Sequence, residues 1–342
     1  MNDIKLPAEW EKQSGVQLTW PHELTDWNYI LDDAIHCFVD IAKEIAKREK
    51  LLIVCPSEKE VKSQLGEIDY SNITFKEIPS NDTWARDHGA ISVFVDGKPT
   101  LLDFTFNGWG MKFAANLDNL ITRQLYIEEA FQENVKYSSQ LQFVLEGGSI
   151  ESDGQGTLLT TEECLLSNNR NDHLSKEEIE AYLKKTFGLK RILWLKNGYL
   201  AGDDTDSHVD TLARLCNEET IAYVSCDDPE DEHYEALKAM EAELKEFRTI
   251  DGKPYKLIAL PMAPTCYEED DRLPATYANF LILNDAVLMP TYGSPQKDGL
   301  AMEQLGKAFP DREIVGIDCR TLIRQHGSLH CVTMQYPSNI LK

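Results

Sequence analysis

The chain has 342 residues, 42% hydrophobic and 27% charged, a composition that can bury a core and is not that of a disordered tail. Its formal net charge of −24 sets it against nucleic acid and suits a cationic partner, although solubility alone also accounts for an acidic surface. Residues 1–10 carry no apolar signal-peptide core and runs such as 51–55 are too short to span a bilayer, so the expected setting is cytoplasmic, away from membranes, with the eight scattered cysteines reduced.

In chain order, apolar runs predict strands over 16–20, 51–55, 73–78 and 90–95, with a helix over 32–48 between the first two. A helix over 115–131 precedes strands over 143–145 and 156–160. Ser175 reads as the N-cap of a helix over 176–186, with Glu177 and Glu178 matched to its dipole. A strand over 192–195 follows, then a strand over 220–224, a helix over 229–247 and a strand over 256–260. Strands over 279–283 and 286–289, a helix over 300–309 and strands over 313–317 and 329–335 complete the chain. Two or three strands per helix, repeated about five times, departs from the one-to-one alternation of a doubly wound sheet and suggests ββαβ-type units. No low-complexity linker divides the chain, so a single domain over 1–342 is expected.

Four polar segments carry the candidate chemistry. The first, 81–90, places Trp84 three residues before Asp87, an aromatic face and a carboxylate that together can receive a planar cation. The second, 145–150, puts Glu146 ahead of two glycines, where the backbone turns tightly or approaches a ligand closely. In the third, His208 and Asp210 share one face if the segment is a strand, so that a base and an acceptor act on one group. The same H-x-D pattern occurs in binuclear metal hydrolases, with Asp204 and Asp206 just upstream, but the chain has no HxH or HExxH motif. The fourth holds Cys331 at the start of an alternating run. Its neighbour His330 would point to the opposite face of a strand, which leaves His208 as the better base.

Taken in order, these segments resemble the agmatine deiminase/peptidyl-arginine deiminase family of the guanidine-modifying superfamily. The matching pieces are Leu6-Pro-Ala-Glu-Trp10, Thr19-Trp-Pro-His22, Trp84-x-Arg-Asp87, Glu146-Gly-Gly148, Thr160-Thr-Glu-Glu-Cys-Leu-Leu166 with Asn169-Arg-Asn171, His208-x-Asp210, Leu273-Pro-Ala-x-Tyr-x-Asn-Phe280, Pro290-Thr-Tyr-Gly293 and His330-Cys331. The resemblance implies the pentein fold, an α/β propeller of five ββαβ blades around a pseudo-fivefold axis. It implies a small cationic guanidino substrate, no metal, no organic cofactor and a homodimer. By matching position, Cys331 is the nucleophile and His208 the general acid/base. Asp87 and Asp210 grip the guanidinium, and Glu146 supports the histidine. The sequence departs from the family at Gln325 and His326, where many agmatine deiminases have glycines, and at Asp87-His-Gly-Ala90 and Thr205-Asp-Ser-His208.

The resemblance favours agmatine as substrate. Free or peptidyl arginine is the alternative and would need a cation to hold a carboxylate, for which Arg86 is the nearby candidate. A metal-dependent ureohydrolase and a non-enzymatic polyamine-binding protein are the remaining readings.

Overall fold

The computed structural model describes residues 3–342. Five sheets share one construction: a leading strand antiparallel to a central strand, then a helix, then a strand returning parallel to the central one. Parallel neighbours need a crossover of a dozen or more residues, and the helix supplies it.

In the first sheet the C-terminal strand Thr333–Pro337 leads onto Gln13–Thr19, and helix Leu31–Ala46 connects to Lys50–Cys55, with a further parallel strand at Ile73–Glu77. The second has Ile91–Val95, Lys98–Thr105, helix Asp118–Ile127 and Lys136–Val144, and Ile4–Lys5 pairs along its edge. The third has Ile150–Ser152, Thr157–Thr161, helix Lys176–Phe187 and Arg191–Leu195. The fourth has Ala213–Asn217, Thr220–Ser225, helix Tyr234–Glu246 and Lys256–Pro261. The fifth has Leu281–Ile282, Ala286–Thr291, helix Pro295–Ala308 and Glu313–Asp318.

Local sequence explains these elements. Helix Leu31–Ala46 buries Ala34, Phe38, Ile41, Ala42 and Ile45, an apolar stripe at helical spacing. Helix Lys176–Phe187 starts on a reciprocal capping box between Ser175 and Glu178 and stops at Gly188 in the left-handed conformation. Strand Lys50–Cys55 has parallel neighbours on both sides, and its residues from Leu51 to Cys55 are all buried, hence its unbroken apolar run.

The structure revises several sequence expectations. Strand Lys98–Thr105 was not anticipated. It pairs with Ile91–Val95 through a two-residue turn, Asp96-Gly97, whose φ values of 49° and 74° mark a hairpin. The run over 279–283 shortens to Leu281–Ile282, and the run over 329–335 to Thr333–Pro337. Asn279, His330 and Cys331 therefore precede strands rather than lie in them. His208 and Asp210 are likewise not in a strand: His208 opens the single 3-10 turn Val209–Thr211. No described helix is long and apolar enough to cross a membrane.

Candidate active site

Each of the five sheets contributes one polar side chain to a single cluster, two to four residues ahead of its leading strand: Cys331, Asp87, Glu146, Asp210 and Asn279. All five are buried. Burying this many polar groups is costly unless each is hydrogen-bonded or waits for a ligand.

Gly148 shows how tightly they converge. A β-carbon there would lie 2.7 Å from Nδ1 of His208, 2.9 Å from Oδ1 of Asp87 and 3.1 Å from Oδ2 of Asp210. The Gly148 backbone N–H donates to Asp87 Oδ1 at 3.0 Å, and Trp109 Nε1–H donates to its Oδ2 at 2.9 Å. Asp87 also lies 3.6 Å from His208 Nδ1. Burial raises the Asp87 carboxyl to about 6: Asp210 and Glu146 add to the rise, and His208 opposes it. Burial pulls His208 down, yet the acidic groups around it, Asp87 foremost, hold it well above its ordinary value. Neither His208 ring nitrogen nor Oδ1 of Asp210 has a hydrogen-bond partner among the described residues.

Cys331 Sγ lies 3.3 Å from Asn279 Oδ1 and 3.9 Å from Asp210 Oδ2. The same Asn279 oxygen accepts the backbone N–H groups of His330 and Cys331, at 2.9 and 3.3 Å. Burial, Asp210 and Asp87 push the Cys331 thiol well up, so the free site stores it protonated. Cys331 and His330 do not point to opposite faces of a strand. They sit in a turn, and both approach Asp210, His330 Nδ1 at 2.7 Å.

Glu146 is not hydrogen-bonded to His208. Both its oxygens accept from Arg170 Nε, at 2.9 and 3.0 Å, and its influence on His208 is that of a nearby charge. Arg170 also ties Asp206, at 2.6 Å, into the same framework. Arg86 turns away from the cleft to Glu9 and Gln335, so it is not placed to meet a substrate carboxylate.

Asp87, Cys331 and Trp84 open onto a narrow cleft also lined by Asp26, Asp82 and Asp204. The backbone passes close against Trp84 at Gly327, where a β-carbon would strike its ring at 2.2 Å. The segment before Gly327 spans the mouth. Gln325 Nε2 reaches the Asp26 carbonyl at 3.2 Å and the Tyr29 hydroxyl at 3.3 Å, while His326 Nδ1 contacts the Gly202 carbonyl at 2.8 Å. No lysine or arginine lines this cleft among the described residues.

Two groups bring metal-ligating atoms within 4.8 Å: the buried Glu146, Cys164 and His208, and the partly exposed Glu9 with buried Glu151 and His330. In each an arginine already occupies the carboxylates, Arg170 on Glu146 and Arg214 on Glu9 and Glu151, where a cation would sit. The donor sets do not fit a resident metal. Asp204 and Asp206 form no cluster with His208 either.

The sequence profile of the Porphyromonas-type peptidyl-arginine deiminase family matches residues 5–337. The chain belongs to that family. A solved structure from Porphyromonas gingivalis, named "Putative Arginine Deiminase", is 55% identical, covering 99% of this chain and 100% of its own, with a TM-score of 0.96. An agmatine deiminase of C. jejuni, solved with substrate bound, is 41% identical, covering 100% of this chain and 98% of its own, with a TM-score of 0.92. The agmatine deiminase of Pseudomonas aeruginosa strain LESB58 is 34% identical over 98% of this chain and 96% of its own length. The family resemblance carried by the ordered motifs is thus upheld. Motif reading does not single out Trp109 and Asn279, which the fold places against Asp87 and Cys331. Asn279 belongs to Leu273-Pro-Ala-x-Tyr-x-Asn-Phe280, but the apolar run it opens suggests a strand residue. Trp109 sits in a backbone kink (φ 54°) that no apolar pattern announces.

Proposed function

We propose that this chain hydrolyses the guanidino group of agmatine to N-carbamoylputrescine and ammonia through a covalent adduct on Cys331. The convergence of His208, Asp87 and Asp210 on Gly148 carries the reading. It brings two carboxylates and a basic ring to one small space beside the thiol, with Asp210 Oδ1 and both ring nitrogens unpaired.

Asp87 and Asp210 grip the planar cation and fix its carbon near the sulfur. Burial and the charges of Asp210 and Asp87 keep the proton on Cys331; the guanidinium charge offsets the carboxylates, so substrate favours the thiolate, whose proton leaves to solvent. The thiolate attacks the guanidinium carbon, and His208 protonates the departing nitrogen, which leaves as ammonia. A thiouronium-type adduct remains. Water adds to its carbon and gives a proton to the now neutral His208. Collapse of the hydroxyl-bearing adduct forms the carbonyl, breaks the C–S bond and passes the hydroxyl proton to the Cys331 sulfur, leaving the neutral ureido product and the free thiol. A neutral ligand would leave two buried carboxylates unpaired, at about 3–5 kcal/mol, hence the selectivity for a cation.

The acidic rim favours an amine tail. Asp26, Asp82 and Asp204 suit the distal ammonium of agmatine, and Arg86 is not there to hold a carboxylate. Arginine is the second reading, favoured by the name of the Porphyromonas gingivalis structure. Mass spectrometry of Cys331 after quenching with agmatine, beside ammonia and urea assays with agmatine, arginine and a C-terminal-arginine peptide, tests the proposal. An inert agmatine ends it, and chelator-sensitive urea release would instead establish a metal ureohydrolase.

The same proposal takes the five like-built sheets as the blades of one pentein propeller over 1–342, a single domain. The pairing of Thr333–Pro337 with Gln13–Thr19 supports that closure. It also includes a cytoplasmic homodimer, for which eight unbonded cysteines suit a reducing compartment. Size-exclusion chromatography with light scattering tests the oligomer.

A further inference from the structure

Beside the reacting groups lies a layer of buried charge that the chemistry above does not use. Glu9 accepts from Arg86 Nη1 at 3.0 Å, Arg214 Nη2 at 2.6 Å and Gln335 Nε2 at 2.9 Å. Its Oε1 also lies 2.9 Å from Nε2 of His330. The other ring nitrogen of His330 is 2.7 Å from Oδ2 of Asp210. An unbroken path therefore runs from Glu9 through His330 to a carboxylate whose second oxygen is unpaired.

The chemistry of the ring makes this path robust. His330 Nε2 is 3.0 Å from Arg214 Nη2 as well as 2.9 Å from Glu9, so it faces a donor when neutral and an acceptor when protonated. In either state Nδ1–H can donate to Asp210. Glu9 is also accessible: it lines a second, open pocket with Arg86, Glu151 and Gln335, sharing no residue with the catalytic cleft.

We propose that Glu9 and His330 are positioning residues for guanidine hydrolysis: Glu9 clamps His330 from the second pocket, and His330 fixes Asp210 so that Oδ1 faces the guanidinium. The proposal rests on the functional reading above. A carboxylate held by one oxygen presents the other in a defined direction, and a misplacement of about 1 Å at such a site costs on the order of 10²-fold. The charges agree. Burial opposes ionising Asp210, but the hydrogen bond from His330, with the charges of His208 and Arg214, holds its carboxyl below the ordinary range, against Asp87 and Cys331 facing it; His330 itself is pulled down by burial, Arg214 and Arg86.

The test compares wild type with Glu9→Ala and Glu9→Asp in two assays. One is agmatine kcat/KM against pH; the other is protection of Cys331 from iodoacetamide by guanidinium ion, followed by peptide mass spectrometry. In Glu9→Ala both kcat/KM and guanidinium affinity are expected to fall about tenfold or more across the pH plateau above the Asp87 limb near 6. Formate, entering the second pocket, restores part of the loss saturably, and Glu9→Asp is intermediate. A folded Glu9→Ala protein with wild-type kcat/KM and guanidinium affinity on that plateau, or a deficit that neither formate nor aspartate relieves, overturns the proposal. If Glu9→Ala does not fold, an unchanged Glu9→Asp overturns it alone. Protection by guanidinium needs no turnover, so wild-type inertness toward agmatine would sink the functional reading while leaving this comparison decisive.

Discussion

The backbone N–H of Gly148 donates to Asp87 Oδ1 at 3.0 Å, in a space where a side chain on that glycine cannot fit. Gly148→Ala is therefore expected to retain the fold and to lose about 10²-fold or more in kcat/KM, because the methyl group displaces His208, Asp87 or Asp210. Steady-state kinetics beside a thermal melt checks this. A variant with near-normal activity would mean that the convergence at Gly148 is not the reacting geometry.

Removing the proposed nucleophile and base should separate two steps. Cys331→Ser is expected to bind agmatine and form no adduct or product. His208→Ala is expected to lose on the order of 10²-fold or more, since the departing nitrogen then lacks its proton donor. Unchanged turnover in Cys331→Ser would rule out the covalent route.

The acid limb of the pH profile should report Asp87. Its carboxyl is raised to about 6 by burial, so the gripping anion is present above that pH and lost below it. The expected outcome is a kcat/KM for agmatine that falls as pH drops through about 6. A limb in the ordinary carboxylate range instead would show that Asp87 is not the titrating group.

Asp82 offers a test of the amine tail. Burial, with Asp118 and Asp26 beside it, raises its carboxyl to about 7, so its negative charge on the rim fades as pH falls through neutrality. Asp82→Asn should raise KM for agmatine by about fivefold at pH 8, roughly 1 kcal/mol, and leave kcat nearly unchanged. A fall in kcat with constant KM would assign Asp82 to the chemistry rather than the tail.

The Gln325–His326 span across the mouth predicts a specificity change. Replacing both with glycine should improve the ratio of peptidyl-arginine to agmatine turnover, by relieving contacts to Tyr29, Asp26 and Gly202 that narrow the opening. Competition assays with the two substrates read the ratio directly.

Much of this was legible in the residues, for specific reasons. Helix Lys176–Phe187 announced itself through its cap, and strand Lys50–Cys55 through an unbroken apolar run. The family's ordered motifs brought Cys331, His208, Asp87, Asp210 and Glu146 forward, and the fold gathers them. What escaped was irregular or non-local. Strand Ala213–Asn217 contains Arg214, which is polar in sequence yet fully buried because Glu9 and Glu151 neutralise it. The turn holding His208 and Asp210 reads as a strand because alternation and a single 3-10 turn look alike over three residues. Arg170 stood in a quoted motif, but nothing local says that it, and not His208, is hydrogen-bonded to Glu146.

The five-sheet origin of the cluster bears on how variants far from it should be interpreted. Each anchor is rooted in a different sheet, so the distances among them depend on how the sheets seat against one another. A substitution in the packing between two sheets can shift one anchor against the other four while every site residue remains present. Sequence inspection would score such a protein as intact, and a melting curve would score it as folded. Its defect would be visible in kcat and kcat/KM, so natural variants of this chain need a turnover measurement before they are regarded as silent.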